Sequence, residues 1–271
     1  MKFSILMSVY YKDDPIYFEK CLLSLMQQDQ KANQLILVED GDIPQEIIQI
    51  IEKFRHTLNI ESIKLPHNQG LAKALNCGLQ HCKYEIVMRM DADDICENNR
   101  FKMQCEFMNK NKSFDVLGTA AFLMDENDDI ICLKKISKDI NFYKLKKTSH
   151  IIHPSVCYRR SSILNVGGYD ESLIKSQDWD LWLRLASEGY KLGNLELPLF
   201  RLRVSKDLIK RRKNEQKYNR IILRKHLSFK ECIFPFLRTY IIELSPLWIL
   251  NFFVMRVHFA YKKTKNYQKN T

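Results

Sequence analysis

Buried strands and amphipathic helices alternate four times within the first 95 residues of this chain, and this alternation restricts its fold more than any other feature. The predicted strands are the apolar runs at residues 3–9, 34–38, 62–65 and 84–90. Three helices are predicted from apolar residues that recur at helical spacing. The first begins at Asp13-Asp14-Pro15, the second begins at Pro44, and the third lies within residues 68–81. This series predicts an α/β fold with a mostly parallel central sheet and helices on both faces.

Three polar clusters come directly after predicted strands. They are Ser8-Val9-Tyr10, Glu39-Asp40-Gly41 and Asp91-Ala92-Asp93. Ligands of open α/β sheets bind in the crevice at the carboxyl ends of the strands. Carboxylates at such a place must be solvated, paired or bound to a cation. The clusters therefore predict a ligand-binding crevice at this edge of the sheet.

Asp91 and Asp93 flank one small residue, and this spacing is compatible with a metal site. Hard oxygen ligands favour Mg²⁺ or Mn²⁺, and such an ion can neutralise the charge of a departing diphosphate. The alternative is that Asp93-Asp94 caps a helix that starts near Glu97. The pattern alone leaves both interpretations open.

Positive charge is concentrated at the C-terminal end of the chain. Residues 201–271 carry 18 Lys and Arg against four Asp and Glu, a net charge of +14, whereas residues 1–200 have a net charge of −3. This part contains Lys210-Arg211-Arg212-Lys213, Lys262-Lys263 and an apolar run at 246–255, about half the ~20 residues needed to cross a bilayer. We predict that residues 206–271 form a basic, aromatic helical tail lying on an anionic membrane surface.

Two other interpretations of the tail remain. A basic helix can pack onto the main domain through its apolar side and leave its charges in water. A nucleic-acid partner is the third interpretation, but no recognised binding motif accompanies the charge, so we expect no nucleic acid.

Cysteine spacing and the N-terminus indicate the cellular compartment. None of the eight cysteines has C-x-x-C spacing, which predicts neither a zinc site nor a disulfide framework. The first apolar run is too short for a signal peptide. We therefore expect a cytoplasmic protein with reduced cysteines, bound peripherally to the inner face of the cell membrane through its tail.

Further motifs follow in a fixed order, and the whole series resembles the family 2 glycosyltransferases, which have the GT-A fold. The pieces are Met7-Ser8-Val9-Tyr10, Val38-Glu39-Asp40-Gly41, the segment 68–78, Met90-Asp91-Ala92-Asp93-Asp94, His153-Pro154-Ser155-Val156, Gly167-Gly168-Tyr169-Asp170 and the segment 177–185. The resemblance covers about residues 3–205. It implies a GT-A catalytic domain over 1–205, with a nucleotide-binding half at 1–95 and an acceptor-binding half at 96–205.

The resemblance implies roles for residues of the nucleotide-binding half. Ser8 and Tyr10 would line the uridine site, and Asp40 would bind the uracil ring. Lys73 would approach the ribose and phosphates.

The same resemblance implies a metal site. Asp91 would contact the ribose or the metal shell, and Asp93 would bind the Mn²⁺ or Mg²⁺ ion that holds the diphosphate. Many relatives have a histidine after the last core strand, but Leu202-Arg203-Val204-Ser205 offers none, so the third metal ligand is not assigned.

Asp178 matches the aspartate of the family's Glu-Asp pair, which implies that it is the general base. Gln177 stands where glutamate is common. A sugar hydroxyl is a poor nucleophile, and a carboxylate within hydrogen-bond reach can take its proton during attack. Asp178 also suits a helix cap, and the two roles are compatible because a helix start presents a side chain rigidly.

Two aromatic residues are candidates for the acceptor side. Trp179 can stack on an acceptor sugar or pack in the core, and both roles remain open. His153 borders the acceptor side by resemblance, although a lone histidine is often structural. Gly167-Gly168-Tyr169-Asp170 predicts a tight turn that closes the acceptor wall.

These features together predict a metal-dependent, inverting transferase. It would move a hexose, galactose or glucose, from a UDP-sugar to a hydroxyl of a glycan acceptor carried on undecaprenyl diphosphate, in bacterial surface polysaccharide synthesis. A sugar nucleotidyltransferase is an alternative, although residues 8–14 lack the glycine of its phosphate loop. A non-catalytic sugar- or lipid-binding relative is another, and the presence of Asp40, Asp93 and Asp178 argues against it.

Overall fold

The computed structural model describes residues 1–205 and 207–250. The first part of the chain forms four parallel strands in the order β3-β2-β1-β4. The strands are β1 (Phe3–Val9), β2 (Gln34–Glu39), β3 (Ile60–Lys64) and β4 (Ile86–Arg89), and the helices between them are α1 (Pro15–Met26), α2 (Gln45–Phe54) and α3 (Leu71–His81). The predicted alternation of strand and helix is confirmed.

The strand β1 is buried on both faces, which explains its continuous apolar sequence. Ile5 and Met7 belong to the hydrophobic cluster that contains α1 and α2. Leu6 belongs to the cluster on the opposite face of the sheet, which contains α3. The two layers of helices therefore hold the carboxyl end of β1 in a fixed position.

The helix α1 begins where the sequence predicts. The Asp14 carboxylate accepts hydrogen bonds from the backbone N–H groups of Ile16 (2.8 Å) and Tyr17 (3.2 Å). Pro15 occupies the first turn, where its missing N–H costs little. The loop between β1 and α1 is thereby anchored beside the predicted crevice.

The rest of the catalytic region adds five strands and four helices within the described residues. They are β5 (Ile95–Cys96), α4 (Arg100–Lys110), β6 (Val116–Met124), β7 (Ile130–Lys134), α5 (Phe142–Leu145), β8 (Cys157–Arg159), α6 (Arg160–Asn165), α7 (Gln177–Ser187) and β9 (Leu192–Arg203). A 3₁₀ turn at His153–Ser155 precedes β8.

These strands join the sheet in mixed directions, so the parallel arrangement is confined to β1–β4 and to the pair β6 and β9. β8 is antiparallel to both β4 and β6, and β5 is antiparallel to β9. β6 and β7 are joined by the short turn 125–129, which permits only antiparallel pairing. The order is β3-β2-β1-β4-β8-β6-β9-β5, with β7 beside β6. One sheet therefore runs through both predicted halves of the catalytic domain.

The segment after β9 folds into helices, as predicted for the basic tail. They are α8 (Leu208–His226) and α9 (Phe229–Leu244). Ile222 and Leu223 of α8 are buried in the cluster that also contains α7. Ser228 and Glu231 form a capping box that starts α9.

A buried carboxylate holds α8 against α7. Asp180 is fully buried and accepts from Arg184 Nε (2.8 Å), Lys225 Nζ (2.8 Å) and His226 Nε2 (2.7 Å). The tail therefore docks on the catalytic domain through a defined ionic contact.

None of the helices in the described ranges is both long and apolar enough to cross a bilayer. Part of the apolar run predicted at 246–255, together with Lys262-Lys263, lies outside the described residues.

Candidate active site

The loops after β1, β2 and β4 lie at the edge of the sheet where these parallel strands end, and the ligand crevice there stays a prediction. Ser8, near the end of β1, is partly buried, and Tyr10 is exposed just beyond it. Burial and then the negative charge of Asp13 raise the pKa of Tyr10, with a smaller contribution from Asp93. Tyr10 therefore lies beside a group of carboxylates, as a residue at the donor site would.

The carboxylates after β4 form a cluster that can hold a metal ion. One oxygen from each of Asp91, Asp93 and Asp94 lies within 4.8 Å of the others. Burial, followed by the charge of Asp91, raises the pKa of Asp93 to about 6. Asp13 belongs to the same group, because burial and the charges of Asp93 and Asp91 raise its pKa to about 7. A divalent cation would relieve this mutual repulsion.

Asp94 supplies the third carboxylate that the sequence motifs left unassigned. One of its oxygens, Oδ1, accepts from the backbone N–H of Arg203 (2.8 Å). The other, Oδ2, is buried and has no hydrogen-bond partner in the described part of the chain. An unsatisfied buried carboxylate oxygen beside two other carboxylates fits a hard cation such as Mg²⁺ or Mn²⁺.

The cluster does not cap the following helix. The strand β5 lies between the aspartates and α4, and α4 begins at Arg100 with Asn99 as its N-cap residue. Arg203 holds the loop instead, since its Nε donates to the carbonyl oxygen of Asp93 (2.9 Å). The alternative interpretation of Asp93-Asp94 as a helix cap is therefore wrong.

Asp40 is nearly buried and ties two loops together. Its carboxylate accepts from the backbone N–H groups of Gln69 (2.6 Å) and Gly70 (2.9 Å) and from Asn68 Nδ2 (3.1 Å). Gly41 follows with φ of 86°, and a Cβ there would lie 2.5 Å from the backbone nitrogen of Asn68. The uracil contact predicted for Asp40 stays a prediction. Its observed contacts fix the loop before α3 against the loop after β2.

Lys73 forms an ion pair with a residue outside the aspartate cluster. Its amine pairs with Glu171 at 3.0 Å, in a recess of about 400 Å³ that Gly167 and Gly168 also line. In residues 1–205 and 207–250, the ion pair of Lys73 is with this glutamate rather than with an aspartate of the crevice. The Lys73 amine is thus held by Glu171, and its predicted approach to the ribose and phosphates stays a prediction.

The predicted base, Asp178, lies in the first turn of α7. Ser176 precedes the helix with φ of 61°, which turns the chain into the helix start. Burial raises the pKa of Asp178, while the backbone N–H of Trp179 and the charge of Arg89 partly oppose this rise. Asp178 also lines a cavity of about 1000 Å³, so the buried carboxylate has access to a ligand.

Arg89 links the aspartate cluster to the predicted base. It is 1% exposed and forms an ion pair with Asp91. Two of its nitrogen atoms, Nε and Nη1, are buried and have no hydrogen-bond partner among the described residues. Its charge lowers the pKa values of Asp178 and His153. Arg89 is absent from the residues that the motifs predict, although a lone arginine in an apolar strand is a recognisable signal.

His153 and Trp179 both line the cavity beside Asp178. His153 Nε2 lies 2.9 Å from the hydroxyl oxygen of Tyr169, and burial lowers the pKa of His153 well below its usual value. Trp179 is 6% exposed, and its indole N–H donates to the carbonyl oxygen of Leu145 (2.7 Å). The structure places both near the base, and their contacts with an acceptor stay predictions.

The predicted tight turn before α7 has the expected geometry. Gly167 and Gly168 have φ values of 83° and 72°. Asn76 holds the turn, accepting from the backbone N–H of Tyr169 (2.8 Å) and donating to its carbonyl oxygen (2.8 Å). A Cβ on Gly168 would lie 2.5 Å from Asn76 Oδ1, so the turn requires glycine there.

The sequence is similar to known transferases. Residues 4–167 match the family described as Glycosyl transferase family 2. An uncharacterized glycosyltransferase of Haemophilus influenzae is 34% identical, with 79% of this chain and 80% of the relative covered. The UDP-Gal:alpha-D-GlcNAc-diphosphoundecaprenol beta-1,3-galactosyltransferase of Escherichia coli is 34% identical, with 78% and 77% covered. The amylovoran biosynthesis glycosyltransferase AmsE of Erwinia amylovora is 33% identical, with 78% and 79% covered.

Solved structures share the fold at lower identity. S. aureus TarS 1–349 in complex with UDP-GlcNAc has a TM-score of 0.69 and 19% identity, over 90% of this chain and 73% of that chain. The mannosyltransferase PcManGT from Pyrobaculum calidifontis, in complex with GDP-Man and Mn²⁺, has a TM-score of 0.62 and 15% identity, over 90% and 70%. The predicted GT-A fold is confirmed.

Proposed function

This chain belongs to glycosyl transferase family 2, and from that premise we propose that it is a metal-dependent, inverting hexosyltransferase. It transfers galactose or glucose from a UDP-sugar to a hydroxyl of a glycan carried on undecaprenyl diphosphate, in bacterial surface polysaccharide synthesis. Residues 1–95 bind the donor, and residues 96–205 bind the acceptor. The E. coli relative, whose description names UDP-Gal and a diphosphoundecaprenol acceptor, supports this choice of substrates.

One observation carries the proposal. A cluster of carboxylates suited to a divalent ion and a partly buried carboxylate at a cavity both interact with one buried cation, Arg89. A transferase needs these two features close together, because the donor's diphosphate must leave from one side of the sugar while the acceptor's hydroxyl attacks from the other.

The donor side depends on the aspartates after β4. Asp91, Asp93 and Asp94 would hold Mn²⁺ or Mg²⁺, and the bound ion would stabilise negative charge on the departing UDP. Ser8 and Tyr10 line the uridine site, and Asp40 binds the uracil ring. Lys73 reaches the phosphates only if it leaves Glu171.

The acceptor side depends on Asp178. Its carboxylate takes the proton of the attacking hydroxyl as the new glycosidic bond forms and the bond to UDP breaks. The attack is an in-line displacement, so an α-linked donor gives a β-linked product without a covalent sugar–enzyme intermediate. His153 and Trp179 line the acceptor pocket next to this base.

The helix α9 supports the predicted contact with an anionic membrane. Its outward side chains form an exposed apolar stripe at helical spacing: Phe229, Ile233, Leu237, Ile241 and Leu244. Trp248 follows at 72% exposure, and α8 and α9 carry an excess of basic residues. An amphipathic surface of this kind inserts its apolar side chains at the headgroup boundary while basic residues contact anionic lipid. The enzyme then works peripherally on the inner face of the cell membrane, where its acceptor resides.

The reaction is tested by measuring UDP release from a panel of UDP-sugars with Mn²⁺ or with EDTA. A membrane extract containing lipid-linked glycans serves as acceptor, and Asp178→Asn is compared with wild type. The proposal expects metal-dependent turnover of one donor, lost in Asp178→Asn while UDP binding persists. Asp42→Asn, a change at a highly exposed carboxylate, is the matched control and should be fully active.

Other outcomes of that assay would correct the proposal in defined ways. Turnover only of a CDP-, GDP- or dTDP-sugar would remove the uracil role of Asp40. Absence of both turnover and nucleotide binding would contradict the proposed reaction.

The membrane contact is tested separately by sedimentation with phosphatidylglycerol vesicles. Replacing Phe229, Leu237 and Leu244 with glutamine should release the protein from the vesicles and leave α8 and its buried contacts in place. Unchanged sedimentation would contradict the membrane role of α9.

A further inference from the structure

A large cavity lies between the α7 region and the helices α8 and α9. It has a volume of about 1000 Å³, and Asp178 and His153 lie in its wall. The segment after β7 forms one side, and α8 and α9 form the other. Because it begins at the proposed base and continues beyond it, it can hold more of the acceptor than the attacking sugar.

The charge of this cavity is predominantly positive. Its basic lining residues are Lys134, Lys135, Lys147, Arg212 and Arg238, and its acidic lining residues are Asp178 and Glu215. Burial keeps His153 neutral by lowering its pKa. The excess of cations opposes binding of a cationic ligand and favours an anion.

None of these five cations has an ion pair within residues 1–205 and 207–250. The partly buried Lys134 amine makes no hydrogen bond or ion pair with the described residues, and neither does the Arg212 guanidinium. By contrast, Arg220 on the same helix as Arg212 pairs with Glu243 at 2.5 Å, and Lys225 pairs with Asp180 at 2.8 Å. Arg212 at the cavity thus lacks the kind of ion pair that Arg220 and Lys225 of the same helix form.

Lys134 lines the same cavity as Arg212 and the predicted base, and it interacts electrostatically with both. Burial and the charge of Arg212 lower its pKa to about 8, and the charge of Asp178 partly opposes this shift. An anion bound here would remove the repulsion between Lys134 and Arg212. It would also lie close to the hydroxyl that Asp178 activates.

The remaining lining of the cavity is mixed, with polar residues such as Ser137, Gln216 and Asn219 and an apolar part that includes residues of α9. Ile209, Pro235, Ile242 and Leu250 contribute to the apolar part. Since α9 provides both cavity residues and the exposed stripe, a ligand can have its anionic group at the cations and its hydrocarbon along the helix. This is the chemistry of a sugar joined to a lipid through phosphate.

We propose that this cavity binds the phosphate groups that join the acceptor sugar to its lipid, with Lys134 and Arg212 as their contacts. The inference rests on the proposed function and adds the acceptor's anionic group as the feature that is recognised. One hexose ring separates the attacking hydroxyl at Asp178 from the phosphate at Lys134. The enzyme then selects sugars that carry an anomeric phosphate and rejects the same sugars as neutral glycosides.

The experiment compares three synthetic acceptors with the same sugar, N-acetylglucosamine, and the same long alkyl chain. The two are joined by a diphosphate, by a monophosphate or by a neutral glycosidic bond. For the full-length enzyme in detergent, we expect the KM of the diphosphate acceptor to be roughly 10- to 100-fold below that of the neutral one. Lys134→Met and Arg212→Gln should each raise the KM of the diphosphate acceptor about tenfold or more and leave the KM of the neutral acceptor and of the UDP-sugar unchanged.

Matched variants separate this role from a general loss of structure or charge. Lys102→Met removes an exposed lysine of α4 that does not line the cavity, and it should change no KM. Lys134→Arg keeps the charge and should recover most of the affinity for the diphosphate acceptor. Unchanged melting temperatures of all the variants would exclude unfolding as the cause.

Three results would overturn the inference without contradicting the proposed transferase function. They are equal KM values for the three acceptors, a Lys134→Met effect on the KM of the UDP-sugar, or an effect only on sedimentation with phosphatidylglycerol vesicles. The second result would assign the cations to the donor diphosphate, and the third to lipid headgroups. If wild type released no UDP with any acceptor, the proposed function itself would fail.

Discussion

Asp94 and Asp180 are buried carboxylates in two regions of this molecule, and their surroundings are opposite. After β4, Asp94 has an unsatisfied oxygen and lies beside Asp91 and Asp93, so repulsion and burial raise its pKa. In the contact between α7 and α8, Asp180 is equally buried but accepts from three basic side chains, which hold its pKa well below the usual value. The first arrangement favours the uncharged acid unless a cation is supplied, and the second is complete within the protein. Unsatisfied charge thus indicates a ligand site, and satisfied charge indicates a structural contact.

Asp178 and Asp180 lie within one turn of α7. We expect substitution of Asp178 to lower the reaction rate and substitution of Asp180 to lower the stability. Asp178→Asn should lower kcat about 10²- to 10⁴-fold, because an amide cannot accept the hydroxyl's proton. The melting temperature and UDP affinity should stay at wild-type values. Single-turnover assays with saturating UDP-sugar and thermal scans measure both. A loss of stability equal to that of an Asp180 variant would contradict the assignment of Asp178 as the base.

Asp180→Asn should have the reverse effect, lowering the free energy of unfolding by about 3 kcal/mol. The value is at the low end for a buried ionic contact, because Lys225 and Arg184 retain some access to water. A depressed pKa stabilises the native state above the unfolded pKa of aspartate, about 4. The difference between variant and wild type should therefore shrink as the pH falls below about 4. Urea titrations between pH 3 and about pH 7 measure it, and a pH-independent difference would argue against an ionic origin.

Asp93→Asn should slightly stabilise the metal-free protein, by about 0.5 kcal/mol, because it removes one charge from a mutually repelling cluster exposed to solvent screening. The melting temperature of wild type should rise on addition of Mn²⁺ and UDP, and that of the variant should not. Thermal scans with and without Mn²⁺ provide the test, with Asp42→Asn as the surface control. A destabilised metal-free variant would mean that the cluster is a structural contact like that of Asp180.

The smallest expected effect is on the pH dependence of kcat at saturating donor and metal. Only the ionised form of Asp178 accepts a proton, so activity should fall as the pH decreases through its pKa. Because burial raises that pKa, the acidic limb should lie above the usual value of about 3.9 for aspartate. Asp178→Glu should move this limb, and a limb that does not move would belong to another group.

The sequence predicts the donor side of the molecule because its signals are local. Each strand and helix of the first part shows its own periodicity, and Asp91 and Asp93 follow β4 directly in the chain. Asp94 follows the motif directly, but the sequence also allows it to be a helix cap. The strand β5, which lies between Asp94 and α4, has only two residues and therefore no periodicity by which it could be predicted. The contact between Asp94 and Arg203, 109 residues apart, could not be predicted from either segment alone.

The acceptor side depends on contacts between distant segments, so less of it could be predicted. β8 has three residues, and its antiparallel position between β4 and β6 follows from packing rather than from its own pattern. Lys134 lies at the end of β7 and Arg212 in the basic run of α8, and their position at one cavity could not be predicted from either segment alone. The tail's charge was visible in the sequence, but the cavity under it was not.

The position of α8 and α9 over the cavity has a consequence for synthesis of the chain. The proposed metal site is formed by residues up to Arg203, whereas part of the cavity wall comes from residues translated later, as far as Leu250. On the proposed function, a nascent or prematurely terminated chain therefore lacks part of the acceptor site, and transfer must await the synthesis of α8 and α9.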